Sequence, residues 1–355
     1  MTATRLHRRC VLLVPAAGLA IVLAACSGGG TAPVATESSA APSASPADTG
    51  AAAAPVSAPA AAAADVSPFT GRPGGTGGPV IVVKLDNTTA AQPHAGLRDA
   101  DVVYVEEVEW GLTRIAAVFS SHLPASVGPV RSARITDIEL IPQYGKPAFA
   151  YSGAQRKLFP ALRRGSFYDV AADHGIAGYA RVSGRRAPYN LFADPAKLLA
   201  RAPKATTAKS VGFTFAAAVP AGGTPGTKAR VPWPASSAGF DWNATTKTYA
   251  VSLNGRPARA AEGGQQAAST VVIQYVKQGD SGFGDRYGGK TPLAKTVGTG
   301  TGVVLRDGQA FPVTWSRPDE ASGTTYTAAN GAPLPFAIGQ TWVLLVKKGY
   351  KVTIS

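Results

Sequence analysis

The sequence predicts an N-terminal α/β or α+β region followed by a mostly antiparallel β region. Three observations point there. Before residue 205, short apolar runs rich in β-branched residues alternate with stretches of helical spacing. After Gly239, strand-like runs recur with tight Asn-Gly and Asp-Gly turns between them. Between the two regions, 203–235 is rich in Pro, Ala, Gly, Lys and Thr, so domains are expected at 68–205 and 206–355.

Pro79-Val-Ile-Val-Val-Lys-Leu85 predicts a buried strand, and Asp101 to Val108 and Leu112 to Ser121 predict two more. Trp110-Gly111 between the latter two predicts a tight hairpin or bulge. Ile135, Ile138 and Ile141 recur at helical spacing within Ser132 to Tyr144, after the Gly128-Pro129 turn. Pro147 to Ser152 predicts a strand. Leu158, Phe159 and Leu162 predict a helix over Ala154 to Arg164 in spite of Pro160. Asp194-Pro195 reads as an N-cap followed by proline at the first helical position, which opens a helix through Arg201. In the second region strands are expected over Thr248 to Leu253, Thr270 to Val276, Thr301 to Arg306, Ala310 to Ser316, Thr324 to Ala328 and Gln340 to Lys347.

Ahead of these elements lies an export signal. Arg5, Arg8 and Arg9 form a positive start, Val11 to Leu23 is apolar, and Leu23-Ala24-Ala25-Cys26 closes the run. The apolar run is too short to span a bilayer, which takes about 20 residues. Leu-Ala-Ala-Cys resembles the bacterial lipobox, which implies cleavage before Cys26. Acyl chains such as palmitate on Cys26 would then hold the protein on the outer face of the cytoplasmic membrane. Cys10 lies in the removed peptide, so a disulfide, a thiol nucleophile and a cysteine metal site are all excluded from the mature chain. Residues 26–67 are nearly all Ala, Pro, Ser, Gly and Thr after the cysteine, the composition of a disordered tether.

The chain carries 35 Lys and Arg against 21 Asp and Glu, a formal net charge of +14. On an exported protein this bias favours anionic partners over nucleic acid: lipid headgroups, anionic envelope polymers, phosphate-linked glycan precursors, or a protein partner. A basic surface with no specific ligand fits the same numbers.

The candidate site is Val127-Gly-Pro-Val-Arg-Ser-Ala-Arg134. Arg131 and Arg134 follow a Gly-Pro turn at the expected start of a helix, where free N–H groups and planar guanidinium forks both suit anions. Arg114 on the neighbouring strand is expected beside them, and Arg185, Arg186 and Asn190 are expected to close the same pocket. Internal pairing of these arginines with Glu106, Glu107, Glu109 and Asp137 is the competing reading. His94, His122 and His174 show no metal-ligand spacing. Asp173-His174 lacks the Gly-x-Ser-x-Gly context of a hydrolase triad. Gly298-Thr-Gly-Thr-Gly302 has no following Lys-Ser/Thr and reads as strand, and Trp233, Trp242, Trp315 and Trp342 read as core or rim residues.

Asp86-Asn87, Asp101-Val-Val-Tyr104, the Val108-to-Arg114 run, Ala117-Val-Phe119, the 127–134 segment and Ala187-Pro-Tyr-Asn190 together resemble the YerB-type bacterial lipoproteins, a family whose domain has no assigned function. The resemblance spans most of 68–355 and implies the lipid anchor. Trp110 stands where a second glycine is common in the family, and Val105 where an acidic residue is expected. The order strand, arginine-bearing turn, then Ala150-Tyr-Ser-Gly-Ala154 is also similar to the LytR-CpsA-Psr phosphotransferases. That analogy implies phosphate held by Arg114, Arg131 and Arg134, with Mg²⁺ on Asp86, Glu109 or Asp137. Two functions therefore stand at this point: an envelope binding protein, and a metal-assisted glycan-phosphate transferase.

Overall fold

The computed structural model describes residues 65–75 and 77–355; the signal peptide, Cys26 and nearly all of the tether lie outside them. The central strands form because their sequences are apolar on both faces. In β1 (Ile81–Asp86), β2 (Val102–Glu107) and β3 (Thr113–Phe119) every residue is buried. Such strands need cover on each side, as in the interior of a three-layer arrangement.

They lie in an eleven-stranded sheet that takes strands from both sides of residue 205. Its order runs Thr325–Thr327, Gln309–Arg317, Gly298–Arg306, Thr270–Val276, Thr341–Lys347, β2, β3, β1, then β4 (Ala148–Ala150) and β5 (Tyr168–Asp169), with Thr224–Pro225 added beside Gln309–Arg317. β1, β2 and β3 are antiparallel neighbours, whereas Thr341–Lys347 runs parallel to both β2 and Thr270–Val276. A six-stranded sheet built on Lys228–Trp233, Ser236–Asn243 and Thr248–Leu253 covers one face. Ile81, Val83, Val105 and Ile115 of the large sheet join Val231, Phe240 and Val251 of the small one in a single apolar cluster. Phe240 and Trp342 meet edge to face there, with ring centroids 5.9 Å apart. On the opposite face Val82, Tyr104 and Ala116 pack with Leu140, Ile141 and Tyr144.

The expected strands are present, and the part after Gly239 is mostly antiparallel. The helices are where expected but short. α1 (Ile135–Leu140), α2 (Phe159–Arg164) and α3 (Pro195–Leu199) have six, six and five residues. Gly145 ends the turn after α1 with φ +80, and α2 stops at Gly165. The N-terminal half is therefore mostly β with short helices rather than a clear α/β unit. Parallel pairing within it is confined to β1–β4–β5. The Pro- and Ala-rich stretch 203–235 also hides a strand. Lys228–Trp233 alternates exposed and buried residues and pairs on both edges, so its period-2 pattern prevails over its composition. Among the described residues no helix is long and apolar enough to cross a membrane.

Trp342 is fully buried where the two sheets meet. Trp342→Ala is expected to lower unfolding free energy by about 3–5 kcal/mol, measured by urea denaturation. A loss well under 1 kcal/mol would contradict this packing.

Candidate functional site: a cationic cleft at the end of the central strands

Strand register assembles the floor. Side chains two apart share a face, so Lys84, Glu106 and Arg114 lie on the side of the sheet that carries α1. Arg114 sits opposite Asp86 on β1 and opposite Glu106 on β2. Its guanidinium lies 3.4 Å from Asp86 Oδ2, and Arg131 Nε donates to the same oxygen at 2.8 Å. Thr88 N–H donates to Asp86 Oδ1 at 2.7 Å. Burial would raise the Asp86 carboxyl, but Arg114 and the hydrogen bonds from Thr88 and Arg131 hold it below its ordinary range. Burial pulls Arg114 down to about 10; Asp86 opposes that, while Arg134 and Arg131 add to it. Arg114 therefore stays charged at neutral pH, and its Nε has no hydrogen-bond partner among the described residues.

The Gly-Pro-Val-Arg-Ser-Ala-Arg segment is extended and threads between β1 and the end of β4. Arg131 N–H donates to Lys84 O, while Ser152 N–H donates to Arg131 O. Gly128 allows this path, because a Cβ there would lie 2.6 Å from the Phe192 ring. The segment delivers Arg134 to Glu109, whose Oε2 accepts from Nη2 at 2.7 Å and from Nε at 3.0 Å. Thr291 Oγ1 donates to the other Glu109 oxygen. Burial works against the Glu109 carboxylate, and Arg134 with Thr291 more than offsets it.

Beneath the floor, Lys84 donates to Asp137 at 2.6 Å and to Glu106, with all three side chains buried. Asp137 also accepts the Arg134 N–H at 2.7 Å, capping α1. The α1 N-terminus is thus already occupied by its own carboxylate, and the helix is too short to serve as an anion site. The expectation of one there is corrected: the arginine side chains remain and the helix terminus drops out.

Arg114, Arg131 and Arg134 line one cleft of about 960 Å³. Arg156, Lys157 and Arg286 join them, and Glu109 and Asp285 are the acidic residues in the lining. Trp110 and Tyr287 stand on its rim, 58% and 70% exposed. The expectation that Arg185, Arg186 and Asn190 close this pocket is corrected. Arg185 and Arg186 line a separate cavity, where Arg185 donates to the carbonyls of Ala91 at 2.6 Å and Pro93 at 3.0 Å. Asn190 Oδ1 accepts from Arg181. Pairing of Tyr179–Arg181 with Leu191–Ala193 carries these residues away from the cleft.

The carboxylates do not fit a metal. Asp86 is engaged by Arg114 and Arg131, Glu109 by Arg134, and Asp137 by Lys84. Among the described residues no three His, Cys, Asp or Glu side chains converge to hold an ion. His174 lies 3.1 Å from Asp169, and Trp233, Trp315 and Trp342 are buried. Trp110 was read only as part of a tight turn, and the rim residues Asp285 and Tyr287, with Arg156, Lys157 and Arg286 beside them, escaped the sequence reading. The Asp285-Arg-Tyr-Gly-Gly289 run, charged and aromatic within a glycine turn, was the available signal.

The molecule is thus a mostly β protein with a broad cationic cleft. Residues 69–209 match the family described as "Protein of unknown function (DUF3048) N-terminal domain", and residues 229–343 match its C-terminal domain. The chain belongs to this family. It is 48% identical over 56 residues to "Putative lipoprotein YerB" of Bacillus subtilis (strain 168), a match covering 16% of this chain and 17% of that protein. The crystal structure of YerB protein from Bacillus subtilis has the same fold, with a TM-score of 0.70 at 21% identity over 82% of this chain and 99% of that one.

Burial raises Glu106 from its ordinary 4.5 to about 7, with Lys84 opposing and Asp137 adding to the rise. A carboxyl whose folded pKa is raised favours the fold below its unfolded pKa, and that contribution fades as pH climbs toward the folded one. Glu106→Gln, which cannot ionise, should therefore gain stability relative to wild type as pH rises through this window. Denaturant midpoints at several pH values read it; a parallel pair of curves would show that Glu106 titrates normally. Lys84→Met leaves Glu106 and Asp137 buried without their cation and should cost about 3–5 kcal/mol.

Proposed function

We propose that the protein is a lipoprotein held on the outer face of the cytoplasmic membrane through Cys26, and that its cleft binds an anionic cell-envelope ligand. The observation that carries the binding half is the charge balance of the cleft: six cationic side chains against Glu109 and Asp285. Arg134 is consumed by Glu109, and Asp86 is shared between Arg114 and Arg131, so positive charge is left over. Guanidinium forks in a partly dehydrated cleft suit phosphate or carboxylate oxygens. Kinship with a family that includes a named lipoprotein supports the anchoring half, together with the Leu-Ala-Ala-Cys26 sequence. The metal-assisted transferase reading lacks support, because Asp86, Glu109 and Asp137 each face a cation already.

Two outcomes test this. In cells fed labelled palmitate, the wild-type chain should carry label in the membrane fraction, and Cys26→Ser should carry none; equal labelling would end the anchoring proposal. In neutral detergent, the lipoprotein should bind pyrophosphate with salt-sensitive affinity. Arg131→Gln with Arg156→Gln should weaken binding by roughly tenfold or more, since each charge-assisted hydrogen bond contributes about 1.5–3 kcal/mol. Calorimetry showing unchanged affinity would remove the cleft as the site.

A further inference from the structure

The cleft has two chemistries, and they are separated in space. Arg114, Arg131 and Arg134 are grouped on its floor around Asp86 and Glu109. The rim pairs exposed aromatic rings with a carboxylate. Trp110 is a large residue at φ 63, a left-handed conformation that bulky side chains rarely adopt and that concentrates at binding sites. Its indole N–H is already used, donating to Asp285 Oδ2 at 2.8 Å, so the ring itself is what the rim offers. Asp285 is fixed in turn by the N–H groups of Tyr287 and Gly289 on Oδ1 at 2.9 and 2.8 Å. Gly289 has no side chain because a Cβ there would lie 2.4 Å from the indole nitrogen. The Arg286 guanidinium lies 4.7 Å from the centre of the Tyr287 ring, which is still 70% exposed. The rim turn is thus built to hold two rings and a carboxylate at the mouth of the cleft.

An anion alone would use the floor and be repelled by Asp285. A neutral sugar would use the rim, stacking on the rings and donating hydroxyls to Asp285, and would leave the cleft's surplus positive charge unmatched. The geometry points to a ligand that carries both parts, a glycosyl phosphate, with its phosphate on Arg114 and Arg131 and its sugar ring against Trp110 and Tyr287. This rests on the anion-binding reading above and assigns that anion its chemical class.

The test uses the lipoprotein in neutral detergent, with calorimetry at constant ionic strength. The probes are inorganic phosphate, pyrophosphate, glucose, glucose 1-phosphate and N-acetylglucosamine 1-phosphate. At least one sugar phosphate is expected to bind about tenfold tighter than inorganic phosphate, and glucose far more weakly than either. Trp110→Ala is expected to abolish the advantage of the sugar phosphate while leaving phosphate affinity within about twofold. Tyr287→Ala, at a position 70% exposed, reads the same effect should the Trp110 variant misfold. Equal affinity for phosphate and both sugar phosphates, or equal losses in either variant, would overturn the glycosyl assignment and leave an anion site. No binding of phosphate, pyrophosphate or either sugar phosphate would overturn the anion site as well.

Discussion

Arg114 has a carboxylate on each side because of strand register. β3 lies between β1 and β2, and the two pairings set Asp86 and Glu106 directly across from it. Because side chains alternate along a strand, a slip of one residue would turn Arg114 toward the small sheet, into the cluster around Phe240 and Val251. Both faces of these strands are otherwise apolar, so what forbids that slip is charge: it would turn Lys84, Asp86 and Arg114 into the cluster of Ile81, Val83 and Ile115. The polar site and the core are thus two readings of one alternation. The residues that bury the sheet also fix where its charges emerge.

From that register the rest follows by short-range chemistry. Asp86 is committed to Arg114, so it can take Arg131 as its second partner. The 127–134 segment can then lie flat across the strand ends, where its backbone bonds Lys84 and Ser152. Arg134 follows two residues beyond Ser132 and finds Glu109. Asp137, one turn later, closes the start of α1 and reaches Lys84 from above. Asp86, Glu106, Glu109 and Asp137 stand against Lys84, Arg114, Arg131 and Arg134, so the network itself is balanced and the cleft's surplus positive charge comes from Arg156, Lys157 and Arg286 around it. Buried ion pairs contribute little net stability when compared with apolar packing, so a network of this size marks a position where charge itself is wanted.

Much of the site's floor was legible in the sequence, and the rim was not. Gly-Pro-Val-Arg-Ser-Ala-Arg is a compact signal, and the structure gathers Arg131 and Arg134 with Arg114, which the strand pattern had placed nearby. Pairing with Glu109 was open as a competing reading, and it holds for Arg134 alongside the cleft. Arg185 was misplaced because a two-strand pairing decides which way its loop faces, and no local pattern reports that. Trp110 and Asp285 meet across 175 residues of sequence. That contact is made when the separate Gln278–Gly284 and Lys290–Ala294 hairpin packs beside the Glu109–Gly111 turn, which periodicity does not reveal. The same reason hid the strand Lys228–Trp233, whose partners arrive later in the chain. Helix positions were read well and their lengths were not: the segments end at Gly145 and Gly165 as expected, but α1 starts only after the extended Arg134 and passes into a 3-10 turn at Ile141, and a 3-10 turn at Arg156–Leu158 precedes α2.

The floor of the cleft is made by residues up to 157, and its rim turn by residues 284–289. Each half of the chain therefore supplies part of the cleft: one the floor arginines and Trp110, the other the turn that carries Asp285, Arg286 and Tyr287. Because the large sheet and the cleft both draw on each half, the two halves are expected to travel through evolution as a pair.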